Sequence, residues 1–237
     1  MSDFLSILEN EVQVAALSFM AFVYALRLVW LFRFRSAKEK TYAAGSAAAG
    51  IFHSLLNIAM PWGMESTRRH PLFYLQFVLL HIGAAAAIAL SLVIPYWPAL
   101  LQGRWAVVLF RVVIGAALTV GLYRLWRRIS VPAIRLISTA DDFLSLILIN
   151  LFFAAAFAAA PNRFWVNEWP LIVYFSLTTL LLVYVPFSKI GHYLYYPFTQ
   201  FFFGRMQGHR GVIAKKPFLT IEGNGDGESS SGQGVRP

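Results

Sequence analysis

Two histidines stand where imidazole could do metal chemistry. His81 interrupts the apolar run FVLLHIGAAAAIAL, and His192 closes another at the head of YVPFSKIGHYLYYPFTQFFFGR, where the run meets a basic, aromatic segment. Ionisable groups at membrane depth are functional candidates. Gly83, Ala84, Ala85 and Gly191 beside them carry little or no side chain, which leaves room for something flat and bulky. A b-type haem held by two imidazoles needs them on facing helices, one nitrogen on each face of the iron. The competing assignment makes His81 a helix–helix hydrogen-bonding residue and His192 an interfacial one. Spacing alone leaves both open.

The elements that must position them follow from composition. Of the 237 residues, 58% are hydrophobic, 16% aromatic and only 13% charged, too apolar a balance for a water-soluble domain. The class is an all-α integral membrane bundle. A net charge of +9 would elsewhere suggest nucleic acid, but the basic residues cluster at the ends of apolar runs, as orientation in a bilayer demands, so no nucleic-acid partner is expected. The chain has no cysteine, so neither a disulfide nor an iron–sulfur cluster can rest on its own thiolates.

In chain order, MSDFLSILENE is acidic and lacks the basic start and small-residue cleavage site of a signal peptide, so it is expected to stay on the mature chain. A first spanning helix is predicted over about Val12 to Phe32, a second over Pro71 to Ile94, a third over Trp105 to Trp126 and a fourth over Phe143 to Ala160. Ser138 or Thr139, followed by Asp141 and Asp142, resembles the entry to the fourth. The fifth begins at Trp169 and Pro170 and is predicted to continue as helix past His192 until Pro197 kinks or breaks it. Residues 41–70, broken by Pro61 and Gly63, read as an interfacial helix plus turn. The five-helix membrane domain thus covers 1–205, and 206–237 form a cytoplasmic tail whose EGNGDGESSSGQG stretch reads as disordered.

Five spans put the termini on opposite sides. Apart from Arg104 and Arg163 on one side and Arg27 and Arg111 within spans, every Lys and Arg falls on the side of the first loop, the third loop and the C-terminus. The positive-inside rule then makes the N-terminus outer and the C-terminus cytoplasmic, in the cell (inner) membrane. The second span runs outward from Pro71 and the fifth runs inward, so His81 and His192 both belong to the inner half. His53, His70 and His209 read as solvated or headgroup-facing, with His70 and His209 the next place for a haem. Arg104 and Arg111, seven residues apart on the third span, share a face near the outer surface. Arg111 could meet a quinone carbonyl, a buried partner such as Asn150 or Tyr174, or the outer interface by snorkelling. Phe201, Phe202 and Phe203 read as an interfacial anchor or docking surface rather than a cofactor box.

From about Pro71 to Arg205 the chain resembles the membrane cytochrome b subunit of respiratory nitrate reductase, the gamma subunit family, which includes membrane subunits of heterodisulfide-reductase-like and sulfate-reducer electron-transfer complexes. The resemblance rests on Leu80-His81-Ile82-Gly83, on Ser138-Thr139-Ala140-Asp141-Asp142 and on Pro186-Phe187-Ser188-Lys189-Ile190-Gly191-His192. It implies five spans with an outer N-terminus, haem b between the second and fifth helices with His81 and His192 as axial ligands, and a cytoplasmic iron–sulfur or catalytic partner. Gly83 and Gly191 would pack against that haem. Two-haem members carry a further, outer histidine on each helix. Those positions are Ser91 and Tyr174 here, so one haem is expected. The implied function is electron transfer between membrane quinone and the cytoplasmic partner, by a subunit not catalytic alone. A haem-free membrane anchor is the alternative.

Overall fold

The computed structural model describes residues 1–33, 40–60 and 65–212, and every regular element among them is helical. Most of the basic RFRSAKEK loop, Pro61, Gly63 and the tail beyond Val212 lie outside the described residues. In chain order the helices are α1 (Asp3–Arg33), α2 (Ala47–Ala59), α3 (Glu65–Arg69), α4 (Pro71–Tyr96), α5 (Arg104–Ser130), α6 (Pro132–Leu136), α7 (Ala140–Ala159), α8 (Trp169–Tyr184) and α9 (His192–His209). Five of them, α1, α4, α5, α7 and α8 with its extension to Phe187, are long and apolar enough to cross a membrane. Their exposed faces carry large apolar side chains, among them Phe22, Trp30, Leu109 and Val112, as surfaces that meet lipid must. The chain's described residues are all-helical, and the five apolar helices make it a multi-pass membrane protein.

Local chemistry explains several boundaries. α1 starts at Asp3 rather than Val12, because Ser2 Oγ accepts the Leu5 N–H (3.3 Å) and Leu5 is wholly buried, which binds the acidic N-terminus into the bundle. Leu8–Val12 adds one π-helical turn. α7 opens on a capping box. Thr139 is the N-cap, its backbone N–H donates to Asp142 Oδ2 at 2.8 Å, and its side chain pairs with the third helical residue in return. Such a cap is worth about 1 kcal/mol.

The spans pack in the order α4, α5, α7, α8, α1, and α4 also touches α7. α1 is peripheral. Leu90, Ile114, Phe152, Phe153, Leu171 and Phe175 fill the centre.

Where the fifth span ends, the structure departs from expectation. The helix does not run past His192 to break at Pro197. It stops at Tyr184, passes through tight 3-10 turns at Val185–Phe187 and Lys189–Gly191, and restarts at His192 with Pro197 inside the new helix. Pro186 has no N–H to return to the preceding turn. Ser188 then offers the chain another route, since its backbone is extended and its hydroxyl accepts the Ile190 N–H at 3.2 Å. Pro197 comes in the second turn of α9 and leaves the helix intact.

α9 lies against α2, so residues 41–70 are not a lone interfacial helix. Small residues four apart, Ser46, Gly50 and Ser54 on one helix and Gly204 and Gly208 on the other, bring the backbones into contact. A Cβ on Gly204 would stand 2.5 Å from the Gly50 carbonyl oxygen, so no larger residue fits. Ser54 donates to Gln200 at 2.7 Å, and His209 Nε2 donates to the Thr41 carbonyl at 2.8 Å. Since α9 continues to His209, residues 206–209 belong with the folded part.

Candidate functional site

α4 and the α8–α9 junction bring His81 and His192 together. Their ring centres are 6.3 Å apart and the rings are nearly perpendicular, at 81°. His81 Nδ1 lies 2.8 Å from the Phe77 carbonyl oxygen one turn back, and His192 Nδ1 lies 3.1 Å from the Lys189 carbonyl oxygen. A carbonyl can only accept, so each Nδ1 carries the proton, and an imidazole held in this way has Nε2 as the nitrogen it can offer to a metal. Phe77 also covers one side of His81, ring centre to ring centre 4.0 Å. The break at Pro186 matters here. The 3-10 turn it permits supplies the Lys189 carbonyl and aims the His192 ring at α4.

Two imidazoles sharing one metal, each nitrogen about 2 Å from it, put their ring centres about 6 Å apart. The observed separation fits. Both histidines are exposed on the protein surface rather than sealed in side-chain packing, so the space between and beside them is open to a large planar group.

Gly83 and Gly191 have other neighbours. A Cβ on Gly83 would run into Ala117 of α5, and one on Gly191 would stand 2.9 Å from the Val185 carbonyl oxygen. Their small size is required by the α4–α5 crossing and by the turn, and both are buried against protein.

Beside His192 opens a cavity of about 470 Å³ with apolar walls from Phe73, Ile134, Leu146 and Ile149 and a polar rim. Four cations reach that rim: Arg124, Arg127 and Arg128, which share a face of α5 at spacings of three and four, and Lys189 from the turn after α8. Lys189 Nζ sits 2.9 Å from Asp142 Oδ1 and 2.8 Å from Thr139 Oγ1. Arg128 lies 3.7 Å from Asp142 Oδ2 and donates to Ser138 at 2.7 Å. Sequence reasoning passed over this cluster because α5, α7 and the turn at Lys189 are distant in the chain. The run Arg124-x-x-Arg127-Arg128 at a helix end was the available signal.

The other half of α4 and α8 is built differently. Tyr174 is fully buried, donates to the Ala87 carbonyl oxygen at 2.6 Å and stacks on Phe152 with ring centres 5.7 Å apart. Ser91 donates to Ile88 of its own helix at 2.7 Å. Neither residue is an imidazole, and Tyr174 fills buried space between α4, α7 and α8.

Arg111 pairs with neither Asn150 nor Tyr174. Its guanidinium lies over the Phe157 ring, 4.4 Å from the centre, on an exposed face of α5, with Arg104 at the helix start. Asn150 donates to the Leu146 carbonyl at 2.7 Å, and its Oδ1 is, among the described residues, the one buried side-chain polar atom with no hydrogen bond. His209 is engaged with Thr41, and the His70 ring stands edge-on to Phe73 at 6.5 Å. His53 is half-buried on α2. None joins the His81–His192 pair.

No family model matches the chain, and no solved structure matches it. A protein of Nitratidesulfovibrio vulgaris (strain Hildenborough) is 28% identical to it over 150 residues. That match takes in 60% of this chain and 65% of the relative's length, and the relative's name assigns it no activity.

Proposed function

We propose that the chain is the haem b subunit of a respiratory membrane complex, moving electrons between membrane quinone and an iron–sulfur or catalytic partner in the cytoplasm. One observation carries the reading. His81 and His192, from separate helices, stand 6.3 Å apart, and each has its Nδ1 turned to a backbone carbonyl.

Haem bound there would supply a one-electron couple. The residues do the rest. His81 and His192 would hold the iron through Nε2, and the Phe77 and Lys189 carbonyls fix both rings and make the nitrogens better donors. The rigid α4–α5–α7–α8 packing holds the pair in place, so little rearrangement accompanies a change of charge. With the basic loops on the cytoplasmic side, the pair lies in the inner half, within reach of a partner docked on the surface formed by α2, α9 and the α5–α7 loop. Ser91 and Tyr174 leave one haem per chain rather than two.

A pyridine haemochrome assay on protein purified in detergent tests the reading. One haem b per chain is expected, whereas a haem-free membrane anchor would give none. The quinone site is proposed on the outer face at Arg104 and Arg111, where a guanidinium over Phe157 could also donate to a quinone oxygen. Arg111→Leu should lower quinone-dependent reduction of the haem while haem content stays at the wild-type value. Unchanged reduction would remove Arg111 from that role.

A further inference from the structure

The cavity beside His192 has more positive charge than its own residues neutralise. Asp142 is the carboxylate on its rim, and Lys189 and Arg128 already engage it, at 2.9 Å and 3.7 Å. Arg124 and Arg127 share their face of α5 with Arg128 and have no acidic partner among the described residues. Arg124 Nε is 3.5 Å from Gln76 Oε1, Arg127 lies over the Phe73 ring at 4.5 Å, and among the described residues no carboxylate pairs with either. Both are half-buried beside apolar walls at the end of a spanning helix, where an uncompensated guanidinium is costly. The site is therefore missing about two negative charges, delivered on an apolar body that fits walls of Phe73, Ile134, Leu146 and Ile149.

We infer that this cavity is the carboxylate cradle of the haem, with Arg124 and Arg127 binding its two propionate side chains while the ring lies toward the His81–His192 pair. The inference rests on the haem reading above. His192 lines the same cavity, so an axial ligand and the cationic rim belong to one continuous surface. The charge also balances: two carboxylates meet two guanidiniums that have no other acidic partner. Guanidinium is suited to the task because it presents paired N–H donors to a carboxylate and stays charged beside apolar surface. A phospholipid phosphate offers the same oxyanion chemistry on an apolar body, and the test must separate the two.

The full chain, made in haem-depleted cells and purified in detergent, is titrated with haem b and with haem b dimethyl ester, and binding is followed by Soret absorbance. The wild type should bind the free acid at least about tenfold more tightly than the ester. Arg124→Gln/Arg127→Gln should lose that preference and keep the bis-imidazole spectrum, and Arg124→Lys/Arg127→Lys should retain part of it. Equal affinity of the wild type for acid and ester would overturn the cradle and leave axial ligation by His81 and His192 standing. Failure of the wild type to form a Soret-absorbing complex with either compound would overturn the haem reading and the cradle together. Lipid phosphate that co-purifies with the wild type and is lost from the Gln double variant, with the preference for free acid unchanged, would assign the cavity to a headgroup and also overturn the cradle.

Discussion

The two halves of the α4–α8 pair solve the same geometric problem in opposite ways. Toward the α9 side, the helices present two imidazoles, leave them exposed and place a cationic cavity beside them. Toward the N-terminal side, the equivalent space is closed by Tyr174, whose ring stacks on Phe152 and whose hydroxyl satisfies Ala87 O. A buried Tyr that makes a cross-helix hydrogen bond fastens α8 to α4. The exposed His pair donates its hydrogen bonds to backbone carbonyls of its own segments and ties no helix to another by them. The difference shows which half fastens α8 to α4 and which half leaves its polar side chains exposed.

The sharpest way to break this comparison is to remove the imidazoles. His81→Ala or His192→Ala should abolish bound haem almost completely, because a b-type haem that loses one of two axial ligands also loses its position in the bundle. Thermal stability in detergent, measured on haem-free preparations, should change little. His53→Ala, His70→Ala and His209→Ala should keep full haem content. A His81→Ala protein with the wild-type b-type spectrum would refute the pairing and move attention to His70 and His209.

The reciprocal change acts on the other half. Tyr174→Ala removes a fully buried ring from the centre of the bundle and should destabilise the protein by about 3 kcal/mol. Tyr174→Phe keeps the ring and loses only the bond to Ala87 O, an effect of about 0.6 kcal/mol for a hydrogen bond between membrane helices. Thermal denaturation in one detergent would measure both, and haem per folded chain should stay constant across the series. A large drop in haem content in Tyr174→Phe would show that the halves are coupled.

Much of this contrast could be read from the sequence, and the part that could not has a physical reason. Long apolar runs ending in charge or proline give the five spans, since a hydrocarbon layer sets their length. His81 and His192 are visible as ionisable groups in such runs. The end of the fifth span was misjudged because proline marks a break without saying which proline wins. Ser188, two residues after Pro186, caps the new turn with its hydroxyl, whereas Thr199, two residues after Pro197, donates back to the Tyr195 carbonyl of its own helix. The α2–α9 contact was signalled by Ser46, Gly50 and Ser54 against Gly204 and Gly208, but spacing on one helix does not name the helix it meets. Gly83 and Gly191 were legible as positions needing no side chain. Only coordinates show that Ala117 and the Val185 carbonyl are what demand it.

The smallest expected effect concerns the tether that holds the N-terminus to the closed half. Glu168, in the loop before α8, accepts from the Ser2 N–H at 2.6 Å, and the Met1 ammonium lies 3.5 Å away. Hydrogen bonds from the Ser2 side chain and the Ser2 N–H, helped by that ammonium, hold the carboxyl below the usual carboxylate range. A group whose pKa falls on folding contributes stability that is fully present above its unfolded value and is lost as pH drops through the folded one. The tether should therefore act at neutral pH and weaken as the medium becomes more acidic than about pH 4. Since Glu168 lies outside the spans and is partly exposed to water, screening keeps the contribution small. Glu168→Gln should lower the melting temperature slightly at pH 7, and the gap to wild type should narrow in acid as the wild-type carboxyl gains its proton. A gap that stays constant or widens as pH falls would show that Glu168 works through packing rather than charge. Haem content of Glu168→Gln should equal that of the wild type at each pH where both stay folded, because the tether joins the half of the bundle that the proposed cofactor does not use.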